Sequence, residues 1–151
     1  MSYTRLFYHI VFRTKFNIPA IFVEHEKVLY QYIWGLMKQK ECILYRIGGM
    51  PDHLHLFMEL SAKLALSDFV RELKTSTGKW LKNNTLFPSF QGWGRRYAAF
   101  TYGPEEKDTV IQYIANQKSH HSQVSLEEEL RTLLAEHGCE IDERYFMNDD
   151  E

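Results

Sequence analysis

Two histidines stand one residue apart in the apolar run GGMPDHLHLFMEL, at His53 and His55. Alternate residues of a strand share a face. The two imidazoles therefore converge on one spot, while Leu54, Leu56, Met58 and Leu60 line the other face. A strand that presents two ring nitrogens in this way can hold a divalent ion. His-x-His also arises by chance, and each ring could simply bond a neighbour on a half-exposed strand. Two ligands make a poor metal site, so a third group is expected: Asp52, Glu59, or a side chain brought in from elsewhere. Further along, in DTVIQYIANQ, Tyr113 and Gln117 stand four residues apart beside the apolar positions Val110, Ile111, Ile114 and Ala115. Spacing of four stacks the two on one helix face, so a phenol and an amide oxygen point the same way. The plainer reading is a core tyrosine beside a surface glutamine.

The elements that must position these groups are legible in outline. LFYHIVFR is β-branched and aromatic and predicts a first strand. Residues 22–41 have helical spacing, with Val28, Tyr32 and Leu36 at fours beside Leu29, Ile33 and Trp34. A second strand is expected from Cys42 to Ile47, a turn at Gly48-Gly49, and a third strand from His53 to Leu60. Ser67 can cap a helix that runs to Leu81. A loop over 83–96 leads to a fourth strand, Tyr97 to Tyr102. Gly103-Pro104-Glu105-Glu106 opens a helix that continues to about Ser119, with Pro and carboxylates suited to its first turn. An acidic helix follows over about 125–137. The order β-α-β-β-α-β, with two helices appended, is that of an α+β protein with a ferredoxin-like (RRM-like) antiparallel sheet. That fold hosts many functions and identifies none of them.

The 151 residues suit one domain. The net charge of -2 conceals an asymmetry. Residues 1–124 hold 16 Lys and Arg against 10 Asp and Glu, for +6, whereas 125–151 hold 2 against 10, for -8. A basic body points to a polyanionic partner, although an acidic terminus on an ordinary domain would give the same totals. Cys42 and Cys139 are far apart and form no metal or disulfide pattern. No apolar run approaches the roughly 20 residues that cross a bilayer, and MSYTRLFYHIVFRTK does not resemble a secretion signal. The expectation is a soluble cytoplasmic protein without membrane contact.

His-apolar-His on a strand, followed by Tyr-x-x-x-Gln on a helix, resembles the single-tyrosine HUH transposases of bacterial insertion sequences, including the repeat-associated tyrosine transposases. YHIVFRTK, DHLHLF, LKTSTGKW, GWGRRYAAFTYG and YIANQKSHH look like that family, in its order, over about residues 5–121. The resemblance makes 1–124 an HUH endonuclease-type catalytic domain and 125–151 an acidic helical extension of it. It implies that His53, His55 and Gln117 bind Mg2+ or Mn2+, and that Tyr113 is the nucleophile. Tyr113 would then cleave single-stranded DNA through a 5′-phosphotyrosine and rejoin strands for DNA transposition and recombination. Imidazole suits manganese better than magnesium. The family further implies single-stranded DNA with hairpin ends as substrate, and a homodimer whose active sites can be shared between subunits.

Arg13, Lys15, Lys74, Lys79, Trp93, Arg95 and Arg96 are the expected DNA contacts, because cations meet phosphates and aromatics stack unpaired bases. His9 reads as a strand packing residue. His120 and His121 follow the helix end and receive no catalytic role. A non-catalytic or domesticated single-stranded nucleic-acid-binding module is the alternative, and a metal-dependent hydrolase using water is a third reading.

Overall fold

The computed structural model describes residues 2–121 and 123–149. Strand β1 (Phe7–Thr14) buries every side chain but Tyr8, as its β-branched and aromatic composition allows for a central strand. It pairs antiparallel with β3 (His53–Glu59) on one side and β4 (Trp93–Thr101) on the other. Strand β2 (Ile43–Met50) pairs antiparallel with β3. The resulting order, β2-β3-β1-β4, is the ferredoxin-like arrangement.

Helices α1 (Glu26–Gln39) and α2 (Leu66–Lys82) cover one face. Ile10, Phe12, Leu54, Leu56 and Met58 of the strands meet Leu29, Ile33 and Met37 of α1 and Phe69, Val70, Leu73 and Leu81 of α2. Each such side chain, fully buried, contributes on the order of 1.5–3 kcal/mol. The stripe of α1 lies one residue on from the expected one, so Val28 and Trp34 are exposed. Helix α2 starts after Ala65 and takes no cap from Ser67. Helices α3 (Lys107–Ala115), α4 (Gln117–His120) and α5 (Leu126–Glu136) belong to the opposite face. They are held there by two small clusters, Phe7, Phe57, Val110 and Ile114 in one and Val11, Leu126 and Leu130 in the other. On this face the strands also bury His9, His53 and His55.

Three boundaries differ from expectation. Gly48 and Gly49 do not turn the chain; they lie within β2, and the turn falls at Pro51-Asp52. Their smallness serves close approach instead. A Cβ on Gly48 would stand 2.9 Å from the Ile114 carbonyl oxygen, and one on Gly49 would stand 2.2 Å from that of His53. The single helix expected to reach Ser119 is a 3-10 turn (Pro104–Glu106), α3 and α4, broken at Asn116. Strand β4 begins at Trp93, inside the expected loop, whose Phe87 and Phe90 enter the core. Ser125 caps α5 by accepting a bond from the Glu128 amide at 3.2 Å. Among the described residues no helix is long and apolar enough to cross a membrane, and both cysteines are free.

Candidate active site

His53 and His55 share a face of β3, with ring centroids 5.2 Å apart. Each is held through Nδ1. That of His53 lies 2.7 Å from Asp52 Oδ1, and that of His55 lies 2.7 Å from His9 Nε2. Both Nε2 atoms are thereby aimed at the same space, with outer partners fixing each ring as in metal sites. Burial pushes the His55 imidazole down to about 4 and the His9 imidazole down to about 3. Both rings are therefore neutral at pH 7, the form that ligates. Asp52 thus orients His53 through its Nδ1. Glu59 accepts a bond from the Tyr45 hydroxyl at 2.8 Å and pairs with Arg5, away from the histidines.

The close approach at Gly48 brings the end of α3 over this face. The Tyr113 ring stands edge-on to His55, with centroids 5.8 Å apart. Gln117 is buried, with Oε1 3.4 Å from His53 Nε2. Tyr113 and Gln117 stay together across the break at Asn116 because both reach the same group. The Tyr113 hydroxyl donates to Glu129, and the Gln117 amide donates to Glu129 Oε2 at 3.0 Å. Burial, then the Glu129 carboxylate, push the Tyr113 phenol up. His53, His55, Tyr113 and Gln117 therefore meet within one chain.

Glu129 and His121 also reach this space, and neither was among the expected site residues. Glu129 Oε1 lies 2.8 Å from His121 Nε2, 3.1 Å from His55 Nε2 and 3.7 Å from His53 Nε2. Burial favours the protonated form of Glu129, but the bonds from His121 and His55 outweigh it and hold the carboxyl below the usual range. Burial lowers His121, and the Glu129 bond overcomes this and raises it. One signal for Glu129 was available. It shares the helical spacing of Leu126, Leu130 and Leu133, all buried, and a carboxylate on an apolar stripe needs polar partners.

His53, His55, His121 and Glu129 each offer a ligand atom, all within 4.8 Å of one another. Atoms bound about 2.1 Å from one ion, at angles of about 90–109°, lie roughly 3.0–3.4 Å apart. The Glu129 to His55 separation and the Gln117 to His53 separation match that spacing, at 3.1 and 3.4 Å. The residues therefore fit a divalent ion. A donor set of imidazoles with one carboxylate and an amide oxygen suits manganese and its transition-metal neighbours better than magnesium.

The expected nucleic-acid contacts divide. Arg13 is buried, and its guanidinium makes two bonds to Asp149, at 2.5 and 2.9 Å. While that pair stands it cannot meet a phosphate. The Arg95 amide also donates to Asp149 at 3.0 Å. Arg96 donates to the carbonyls of Tyr145 and Asn148 and lies over the Tyr145 ring. Trp93 packs edge-on against Phe12 and donates Nε1 to Thr77 at 2.9 Å; it ties α2 to the sheet. Lys74 donates to the Gly94 carbonyl at 2.6 Å. Lys79 is exposed and, with Lys74, Lys82 and Trp93, lines a groove of about 330 Å³. Lys15 is half-buried and lies near the Phe16 ring.

A ferredoxin-like sheet that aims a His-x-His pair at a helix-borne tyrosine defines an HUH-type nuclease fold. The family model described as "Transposase IS200 like" matches residues 2–117, and the chain belongs to that transposase family. It is 22% identical over 120 residues to the ISDra2 transposase TnpA of Deinococcus radiodurans, covering 75% of this chain and 84% of that protein. It is 24% identical over 115 residues to the transposase for insertion sequence element IS200 of Salmonella typhimurium, covering 73% and 75%. Among solved structures, a putative transposase from Deinococcus radiodurans superposes with a TM-score of 0.58 at 24% identity, over 77% of this chain and 93% of that one. A REP-associated tyrosine transposase bound to a REP hairpin superposes with a TM-score of 0.61 at 13% identity, over 82% and 73%.

Proposed function

We propose that the chain cleaves and rejoins single-stranded DNA through a covalent 5′-phosphotyrosine at Tyr113. The observation that carries this reading is that the Tyr113 ring lies against His55, which itself stands beside His53, within one chain. Tyr113 Oη attacks the scissile phosphorus, a P–O bond to tyrosine forms, and the bond to the 3′-oxygen breaks to leave a 3′-hydroxyl. The phosphotyrosine preserves the energy of the phosphodiester, so a later 3′-hydroxyl can reverse the attack and join strands. Water would discard that bond. A divalent ion, Mn2+ or Mg2+, held by His53, His55 and Gln117 would polarise the phosphate and offset its charge. The buried surroundings of the tyrosine keep its phenol protonated until substrate and ion are in place.

The hairpin held by the solved REP-associated relative supports DNA with hairpin ends as the substrate here. The groove beside Lys74 and Lys79 is a route for its backbone. Two ends must be cut to move an element, and one nucleophile per chain calls for two copies. The single-chain meeting of Tyr113 with the histidines supports cleavage in cis within such a homodimer. The cytoplasm, where DNA is accessible, is the proposed site of action.

The test is a denaturing gel. Labelled single-stranded DNA carrying the ends of the element's own locus is incubated with protein and Mn2+ or Mg2+, using wild type and Tyr113→Phe. A metal-dependent protein–DNA band that the variant lacks is the expected result. Cleavage without the band, undiminished in the variant, would establish a hydrolase instead. Tight binding of these ends without cleavage would establish a binding module.

A further inference from the structure

Helix α5 lies beyond the residues that the family model matches, which end at 117, yet it delivers a carboxylate to the centre of the site. We propose that Glu129 is a ligand of the metal centre and at the same time holds the nucleophile, one oxygen serving each task. The inference rests on His53 and His55 as metal ligands.

The division between the two oxygens is visible in the distances. Oε1 faces the imidazoles, 3.1 Å from His55 Nε2 and 3.7 Å from His53 Nε2. The first falls within the roughly 3.0–3.4 Å expected between ligands of one ion and the second lies just beyond it. Oε2 accepts from the Tyr113 hydroxyl and from the Gln117 amide, with His120 Nε2 3.5 Å away. The second bond also sets the sense of the amide. With Gln117 Nε2 turned to Glu129, Gln117 Oε1 is left facing His53 Nε2. One carboxylate thus completes the donor set, orients the amide ligand and fixes the attacking oxygen relative to all three. Its position is set by packing, since Leu126 and Leu130 on either side of Glu129 are pinned against Val11.

Burial makes this placement dependent on its partners. Glu129 is 2% exposed, and a buried carboxylate calls for full pairing. Its described partners include imidazoles, a phenol and an amide. An ion bound at Oε1 would take the place of the hydrogen bonds that His55 and His121 make there. His121 holds Oε1 at 2.8 Å and stands in the same set, either as a further ligand or as the group that Oε1 leaves when the ion enters.

The experiment measures Mn2+ binding directly, by electron paramagnetic resonance of free Mn2+, on the purified full chain. Wild type, Glu129→Gln, Glu129→Asp and the double variant His53→Ala/His55→Ala are compared. Melting curves in chelator establish that each variant is folded, and Glu129→Asp serves if the glutamine variant is not. Glu129→Gln is expected to weaken Mn2+ at least about tenfold, the loss that even outer-shell changes produce. Its Mn2+-induced rise in Tm is expected to shrink in step. The second task has its own readout. The 19F shift of 3-fluorotyrosine incorporated at Tyr113, recorded in chelator, is expected to move in Glu129→Gln, because the phenol loses its carboxylate acceptor. An unchanged shift would overturn the holding role. Wild-type affinity in a folded Glu129→Gln, with affinity lost in the histidine variant, would overturn the ligand role and leave the histidine reading standing. Unchanged affinity in the histidine variant, or no binding by wild type, would overturn that reading and this inference with it.

Discussion

Two side chains reach His53 and His55 from behind, and their removal tests how far the site depends on orientation. His9 holds His55 and Asp52 holds His53, each at 2.7 Å. His9→Ala is expected to weaken Mn2+ binding by about 10–100-fold, with part of the loss restored in His9→Gln, which keeps a polar partner for Nδ1 of His55. Isothermal titration with Mn2+ measures both. At this scale the shared face of His53 and His55 was legible because strand alternation fixes it, whereas Tyr113 and Gln117 meet as their spacing of four suggested but through Glu129, across a break in the helix. Glu129 was not legible, because it stands in the run Glu127-Glu128-Glu129, where composition points to solvent and only helical register marks one of the three. Arg13 was read as a DNA contact because nothing in its neighbourhood of the sequence reveals Asp149, 136 residues away.

At the level of elements, the distance between α3 and β2 governs the site. Gly48→Ala would place a methyl 2.9 Å from the Ile114 carbonyl oxygen and 3.1 Å from its Cγ2. Overpacking of this kind costs about 1–3 kcal/mol. The variant is expected to melt lower and to form less covalent protein–DNA complex, because Tyr113 is displaced with the helix; melting curves and the denaturing gel check this. The order of elements was readable from periodicity and composition, and so was the face the histidines occupy. The turn at Gly48-Gly49 was misplaced because glycine permits both turning and close approach, and only the neighbour across space decides between them. The break at Asn116 left no Pro or Gly in the sequence. The two faces of the sheet also differ in strength. A broad core holds α1 and α2, while two small clusters hold α3 and α5. Native-state hydrogen exchange is expected to show the amides of α3 and α5 opening at lower free energy than those of α1 and α2.

For the molecule as a whole, the charge asymmetry of the sequence is realised as contact. The acidic end folds back on the basic body, and Asp149 takes bonds from the Arg13 guanidinium and from the amides of Phe16 and Arg95. Breaking a buried pair by removing one partner costs about 3–5 kcal/mol, so Asp149→Asn is expected to lower Tm clearly at pH 7. The pH dependence has a definite sign. Burial alone would raise the Asp149 carboxyl, but the bonds from Arg13, Phe16 and Arg95 prevail and hold it below its ordinary value. Its contribution is therefore complete above the unfolded value of about 4 and is lost as pH falls through the lower folded value. The Tm difference between wild type and Asp149→Asn is expected to close in that acid range and to be full at neutrality. The acidic total of the tail was plain in the sequence, whereas its partners were not, because long-range pairing leaves no local pattern.

The unequal layers on the two sides of the sheet carry a genetic consequence. In a random mutant library, substitutions at Leu29, Leu56 or Leu73 would be recovered as insoluble chains. Those at Val110, Leu126 or Leu130 would be recovered as soluble chains that no longer join DNA. Null alleles would thus sort by the side of the sheet they strike, and the soluble class would map the layer that carries the chemistry.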